Sequence, residues 1–257
     1  MNKKYILNYL AITFGFSYAF WGVVIAMMKI FDLKLENPLC MGLYLLGSFG
    51  PFVSSYFVRK KEAQVSGFKD YLKKAFDFRA GLTSYSLVLL FLLLYFLFPL
   101  LDHKITPGIP FYIAILFIPV MIFGGGMEET GWRWVLEPEL EKTLPLPLSA
   151  ILTSIIWTIW HLPLFFIEGS SQASTNFISF FILLIGMSFA QAVLFRHSKK
   201  ISLSILLHCA FNALQMTFVV KEEIWTSLFM TLFMVMGALL VEVIDKRRVK
   251  SQAQVTA

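Results

Sequence analysis

The chain has 257 residues, of which 58% are hydrophobic and 15% charged, and its mean hydropathy is +0.72. A soluble globular domain carries about 45–50% apolar and about 25% charged residues. This balance excludes a disordered chain, a disulfide scaffold and an ordinary water-soluble enzyme. It predicts an all-α, polytopic membrane protein. The net charge of +6 raises nucleic acid as a partner, a reading that the placement of the charges decides below.

Eight apolar runs are long enough to cross a hydrocarbon layer of roughly 30 Å. In chain order they are Tyr5–Met28, Leu39–Val58, Leu82–Leu101, Phe111–Trp134, Leu146–Phe166, Phe177–Phe195, Ile201–Val219 and Ile224–Ile244. The first lacks a small-residue cleavage site and is too long for a signal-peptide core, so it reads as a retained span. Between the second and third runs, Phe68, Tyr71, Leu72, Ala75 and Phe76 repeat at helical spacing, with Lys69, Lys73 and Lys74 on the other face. That pattern predicts an interfacial amphipathic helix over 66–78 on the inner leaflet, serving either as an electrostatic anchor or as a gate. No internal repeat or second domain interrupts the chain, so 1–257 reads as one membrane domain, with Ser251–Ala257 as a frayed tail. Cys40 and Cys209 lie in apolar stretches and read as packing residues.

An even number of spans puts both termini on one side. With the termini inside, seventeen of the 22 basic residues fall on inner segments, among them Arg59, Lys60, Lys61, Arg79, Arg196, Lys199, Lys200 and Lys246–Arg248. Only Lys29, Lys34, Lys104 and Lys221 fall outside, and Arg133 lies within a span. This bias predicts a bundle of about eight transmembrane helices with both termini cytoplasmic. It also removes nucleic acid, because the basic residues are spread along one membrane face.

The informative residues are those the bilayer disfavours. The fourth run contains Gly124-Gly125-Gly126-Met127-Glu128-Glu129-Thr130-Gly131-Trp132-Arg133. An ionised group near a span's centre costs about 2.5–3.5 kcal/mol, so three at full cost would total roughly 8–10 kcal/mol, less near a membrane boundary. On a helix, Glu129 and Arg133 are four apart with the acid first, the favoured order for an ion pair. Glu128 points about 100° away. The Glu129–Arg133 pair reads first as a pin between helices; Glu128 reads either as a protonated carboxyl bonded within the bundle or as a reactive group. The fifth run adds His161, and the seventh adds His208 and Asn212 on one helical face. A lone intramembrane histidine usually bonds helix to helix, but two histidines, an asparagine and a free glutamate on three elements suggest a site. Counted at ~1.5 Å per residue, Glu128, His208 and Asn212 fall in the cytoplasmic half and His161 only loosely so, which predicts a polar cavity open to the cytosol. His103 and His197 lie in loops and are assigned no role.

A carboxylate in an apolar cleft beside a histidine can take a proton from water and direct the water at a carbonyl. A second histidine with an asparagine amide can supply donors to the oxyanion that forms. The set suits a water-activating amide hydrolase. The chain has no H-E-x-x-H helix, no G-x-S-x-G elbow and no paired aspartates within its spans.

Glu128 to Arg133 fits E-E-x-x-x-R, Trp157 to His161 resembles F-x-x-x-H with tryptophan at the aromatic position, and His208 to Asn212 fits H-x-x-x-N. In this order, over a core of 111–215, the chain resembles the CPBP family, the type II CAAX prenyl proteases and bacteriocin-processing enzymes also called Abi. The resemblance implies an intramembrane endopeptidase in which Glu128 is the base, working with His161 on the attacking water. His208 and Asn212 would stabilise the oxyanion, and Glu129 and Arg133 would support the site. Two histidines and a glutamate could instead hold zinc through Glu128, His161 and His208. The Asn212 amide favours oxyanion donation, so the first expectation is no cofactor, with zinc as the alternative. A chain this short, with minimal loops, points to a bacterial cell membrane and to a peptide or membrane-protein substrate. Two rivals are a non-proteolytic immunity or scaffold protein binding a partner in the same cavity, and a small transporter. The transporter is weakened by the lack of repeated halves.

Overall fold

The structure, a computed structural model, describes residues 1–221 and 223–255, and all but two short strands of its regular structure is helical. α1 (Lys3–Phe31) starts where the Asn2 side chain accepts from the Tyr5 N–H, and it stops at Asp32 in the left-handed conformation. α2 (Pro38–Ser48) begins behind an Asn37 cap, and α3 (Gly50–Lys61) follows after a single residue. The two are bent by 40°. Pro51 at the start of α3 cannot donate to the turn before it, so the helix breaks there. The same place is a close approach: a Cβ on Gly50 would lie 2.1 Å from Ser17 Oγ of α1. Thr13 and Ser54 share a hydrogen bond of 2.5 Å across this seam. Small residues joined by hydroxyl bonds are how helices bind where burying apolar surface gives no advantage over lipid.

α4 (Phe68–Ala75) and α5 (Leu82–Leu101) come next, followed by the strand β1 (Ile105–Pro107). The chain thus forms the expected amphipathic helix over the shorter stretch Phe68–Ala75. Its apolar face is seated on protein: Tyr71 packs with Phe52 and Met127, and Ala75 with Ile205 and Cys209. α6 (Phe111–Phe117) opens the segment that holds the charged motif, which runs through α7 (Glu129–Gly131) and α8 (Glu137–Leu140). α9 (Leu146–His161) continues as a tighter turn to Phe166. α10 (Phe177–Ser198), α11 (Ile201–Gln215), the strand β2 (Phe218–Val220) and α12 (Ile224–Val255) complete the chain. The tail expected to fray from Ser251 is helical through Val255, and 256–257 lie outside the described residues.

Among the described residues five helices are long and apolar enough to cross a membrane: Lys3–Phe31, Leu82–Leu101, Leu146–Phe166, Phe177–Ser198 and Ile224–Arg248. The bent pair α2–α3 makes a sixth, and α11 is apolar but only 15 residues long. The predicted fourth span, Phe111–Trp134, is not one helix. Pro119 lacks an N–H, three glycines follow, and the backbone passes through 3₁₀ turns at Val120–Ile122 and Gly126–Glu128 before a π turn at Trp132–Leu136. Such backbone is tolerated at membrane depth where protein surrounds it or it lines a cavity. The depth counted from Phe111 assumed a continuous helix and does not hold; Glu128 and Glu129 themselves both keep right-handed helical backbone, and Arg133 pairs with the second and not the first.

The contacts define two ends of the bundle. At one, the Asn2 N–H donates to Glu139, and Arg196 pairs with both Glu141 and Glu242. The start of α1 and the later part of α12 therefore meet at the same end. Asp77 lies there too, bound to Arg79 Nε at 2.8 Å and Lys200 Nζ at 2.6 Å, which holds its carboxyl well below the usual carboxylate range. At the other end β1 pairs antiparallel with β2, Thr106 opposite Val219. Glu223 is held low by Lys104 and Lys221 beside that ribbon.

Candidate active site

The broken segment 118–136 lies against α9 and α11 and brings the four expected residues to one cavity. Glu128, His161, His208 and Asn212 all line a space of about 470 Å³. Its walls include Trp157, Trp160, Phe180 and Met187, and its rim carries Ser48, Ser171, Gln172, Thr175 and Gln215. Ser171, Gln172 and Thr175 belong to the loop before α10. The cavity therefore reaches the end of the bundle opposite the one where Asn2 and Glu242 meet, not the termini's end as the depth count predicted. Of the depths counted, only that of Glu128 ran along 111–134, which is not a straight helix; α11, along which His208 and Asn212 were counted, is continuous.

Glu128 ends the 3₁₀ turn that the three glycines permit. Its Oε2 accepts from the indole N–H of Trp157 at 2.8 Å and lies 4.0 Å from His161 Nε2. His161 Nδ1 is 2.9 Å from the Trp157 carbonyl oxygen. A carbonyl can only accept, so Nδ1 carries the proton and Nε2 presents a lone pair toward Glu128. Both groups facing the gap are therefore acceptors when Glu128 is ionised.

Glu129, the next residue, faces the opposite way and is fully buried. One oxygen is 2.6 Å from His208 Nδ1, and the other is 3.1 Å from Arg133 Nε. Arg133 also reaches Glu137 at 3.3 Å and Ser188 Oγ at 3.3 Å, and its guanidinium lies 4.9 Å from the Trp157 ring centre. The pin between helices expected of Glu129–Arg133 is thus present and larger than the sequence suggested. Glu137, four residues after Arg133, could have been found by the same spacing, whereas Ser188 gave no signal, because only folding brings it to Arg133.

With Nδ1 committed to Glu129, His208 turns Nε2 toward the Gly124–Gly126 turn. A Cβ on Gly125 would lie 2.7 Å from that nitrogen and 2.9 Å from Asn212 Nδ2. Gly125 has φ of +131°, a conformation closed to other residues without strain. Asn212 Nδ2 donates to the Gly124 carbonyl at 2.8 Å, which leaves one N–H of the amide for another acceptor. Glycine is required here for both its φ and its lack of a side chain.

Among the described residues no three His, Cys, Asp or Glu side chains are grouped so as to hold a metal ion. Glu128, His161 and His208 share the cavity without converging on one point at zinc-ligand distances, and no step below is routed through a metal. Gly125 and the Trp157 N–H are the functional features the motifs did not reveal. The tryptophan in place of phenylalanine was the visible sign of the second, and the run of three glycines that of the first.

Residues 110–214 match the family model described as type II CAAX prenyl endopeptidase Rce1-like. A curated relative, CAAX prenyl protease 2 of Methanococcus maripaludis, is 24% identical over 207 residues, covering 71% of this chain and 76% of its own.

Proposed function

We propose how this member of the CPBP family, an intramembrane protease, cuts a peptide bond. The observation that carries the proposal is the 4.0 Å gap between Glu128 Oε2 and His161 Nε2, flanked by two acceptors on a cavity wall. A water in that gap donates one hydrogen to each and turns its own lone pair toward a carbonyl carbon. As the O–C bond forms, a water proton passes to Glu128. The carbonyl oxygen becomes an oxyanion that accepts from the remaining Asn212 N–H and, when the ring carries both protons, from His208 Nε2–H. Glu129, bound to His208 Nδ1, fixes the orientation of that ring and supports its charge. On collapse, the C–N bond breaks and the proton held by Glu128 goes to the leaving nitrogen.

The reaction as written needs no metal, and the substrate is a peptide or membrane protein entering among the apolar walls. The N and C termini are assigned to the cytoplasm of a cell membrane, on the strength of the basic residues at their end. The resemblance to bacteriocin-processing enzymes is what supports a non-prenylated substrate for this chain.

The experiment is mass spectrometry of peptides released by cells expressing the wild type or Glu128→Gln at matched levels. Peptides released only by the wild type are expected, and their ends give the cleavage site. Identical peptide profiles, with the cellular phenotype intact in the variant, would replace this mechanism with a partner-binding role for the same cavity.

A further inference from the structure

Trp157 touches more of the site than any residue the motifs assign to chemistry. Its indole N–H donates to Glu128 Oε2, the same oxygen that faces His161, and its backbone carbonyl binds His161 Nδ1. One residue therefore orients both groups on either side of the 4.0 Å gap. Its ring is 1% exposed, with the Arg133 guanidinium over it and the His208 ring edge-on at 5.6 Å between centres. A ring so enclosed has no second rotamer to adopt, so the N–H direction is fixed by packing before any substrate enters.

We propose that the Trp157 indole N–H is a positioning group that aims the Glu128 carboxylate at the water shared with His161. A carboxylate on a glutamate side chain turns freely about its last torsion. Glu128 makes no ion pair with Arg133, whose charge goes to Glu129 and Glu137. The Trp157 bond, at 2.8 Å, is the hydrogen bond that opposes that rotation on the Oε2 side facing His161. The F-x-x-x-H pattern that this stretch resembles has a side chain with no N–H at this position. The device therefore belongs to this chain's own tryptophan, and it rests on the reading of Glu128 as the base.

The test uses the full chain in detergent micelles and two replacements. Trp157→Phe keeps an aromatic ring, and 3-benzothienyl-alanine at 157 keeps the bicyclic outline while exchanging N–H for sulfur. On a quenched peptide built from the released sequences, both should lower kcat about 10- to 100-fold, the range for losing a hydrogen bond to a charged group. KM should stay within about twofold, because the water and not the substrate is misdirected. Full kcat in the benzothienyl protein would overturn the proposal and leave Trp157 a space-filling role. An independent arm needs no turnover: the ultraviolet resonance Raman band of the Trp157 N–H, isolated as wild type minus Trp157→Phe, should move to its unbonded position in Glu128→Ala. An unmoved band overturns the proposal. A moved band in a protein that cleaves nothing would retain the hydrogen bond and reject the protease mechanism instead.

Discussion

Behind the cavity wall, Glu129, Arg133, Glu137 and Ser188 form a buried network in which opposite charges meet, joined to the cavity through His208. On the cavity side, Glu128 and His161 have one fixed partner each and face open space. The two regions begin one residue apart in the chain. Their difference teaches that opposite charges held together inside the bundle can anchor a segment while, one residue away, acceptors are left facing open space. A buried pair adds little stability over apolar packing, but removing one partner strands the other at a cost of about 3–5 kcal/mol.

The comparison breaks first at Glu128. Glu128→Gln should lower peptide release by about 10²–10⁴-fold, the range for a general base, while the unfolding temperature in micelles stays near that of wild type. A variant that unfolds instead would place Glu128 in the structural network. Glu129→Gln should do the reverse, with a stability loss of about 3–5 kcal/mol in denaturant titration as Arg133 loses its nearest charge. Equal stability of the two glutamine variants would erase the distinction between the regions.

Gly125→Ala sharpens the boundary between them. It forces a side chain into the Nε2 of His208 at a φ of +131°, so turnover should fall at least about tenfold with a strain of roughly 1–3 kcal/mol. Retention of both activity and stability would move the oxyanion site away from that turn. Dialysis against a chelator probes the cavity side alone, and the metal-free route predicts turnover unchanged within about twofold. Loss restored by zinc would return Glu128, His161 and His208 to the role of ligands.

The smallest effect is expected far from both regions, at Asp77. Its carboxyl is held low by Arg79 and Lys200. Its contribution to stability is therefore complete above the ordinary carboxylate range, about pH 4, and is lost as pH falls through its folded value. Asp77→Asn should remove only that acid-side slope, read as unfolding temperature against pH. An unchanged slope would assign the acid sensitivity to other carboxylates.

Much of the site was legible because its chemistry contradicts its surroundings. Glu128, His161, His208 and Asn212 stand out in apolar runs, and the structure brings all four to one cavity. Arg133 was legible for the same reason, but its full set of partners was not. Glu137 lies four residues after Arg133 and was open to the same spacing argument as Glu129, whereas Ser188 is one more small residue in an apolar helix. The span at 111–134 misled because hydropathy measures what lipid accepts, and broken backbone surrounded by protein is as apolar as a helix. Pro119 and Gly124–Gly126 marked the break, yet their composition alone fits a kinked span as well as a loop.

By itself the sequence determined that this protein lives in a membrane, where its basic residues cluster, and which polar side chains stand apart in its apolar runs. Those properties depend on the transfer of individual residues from water, which each residue carries with it wherever the chain folds. Only the tertiary structure decided which of two adjacent glutamates lines the cavity, which end of the bundle that cavity reaches and which nitrogen of each histidine is free. Each of these depends on what lies within about 3 Å of one atom; for Glu128 and His208 that neighbour comes from 29 and 79 positions away, and for His161 from the preceding turn.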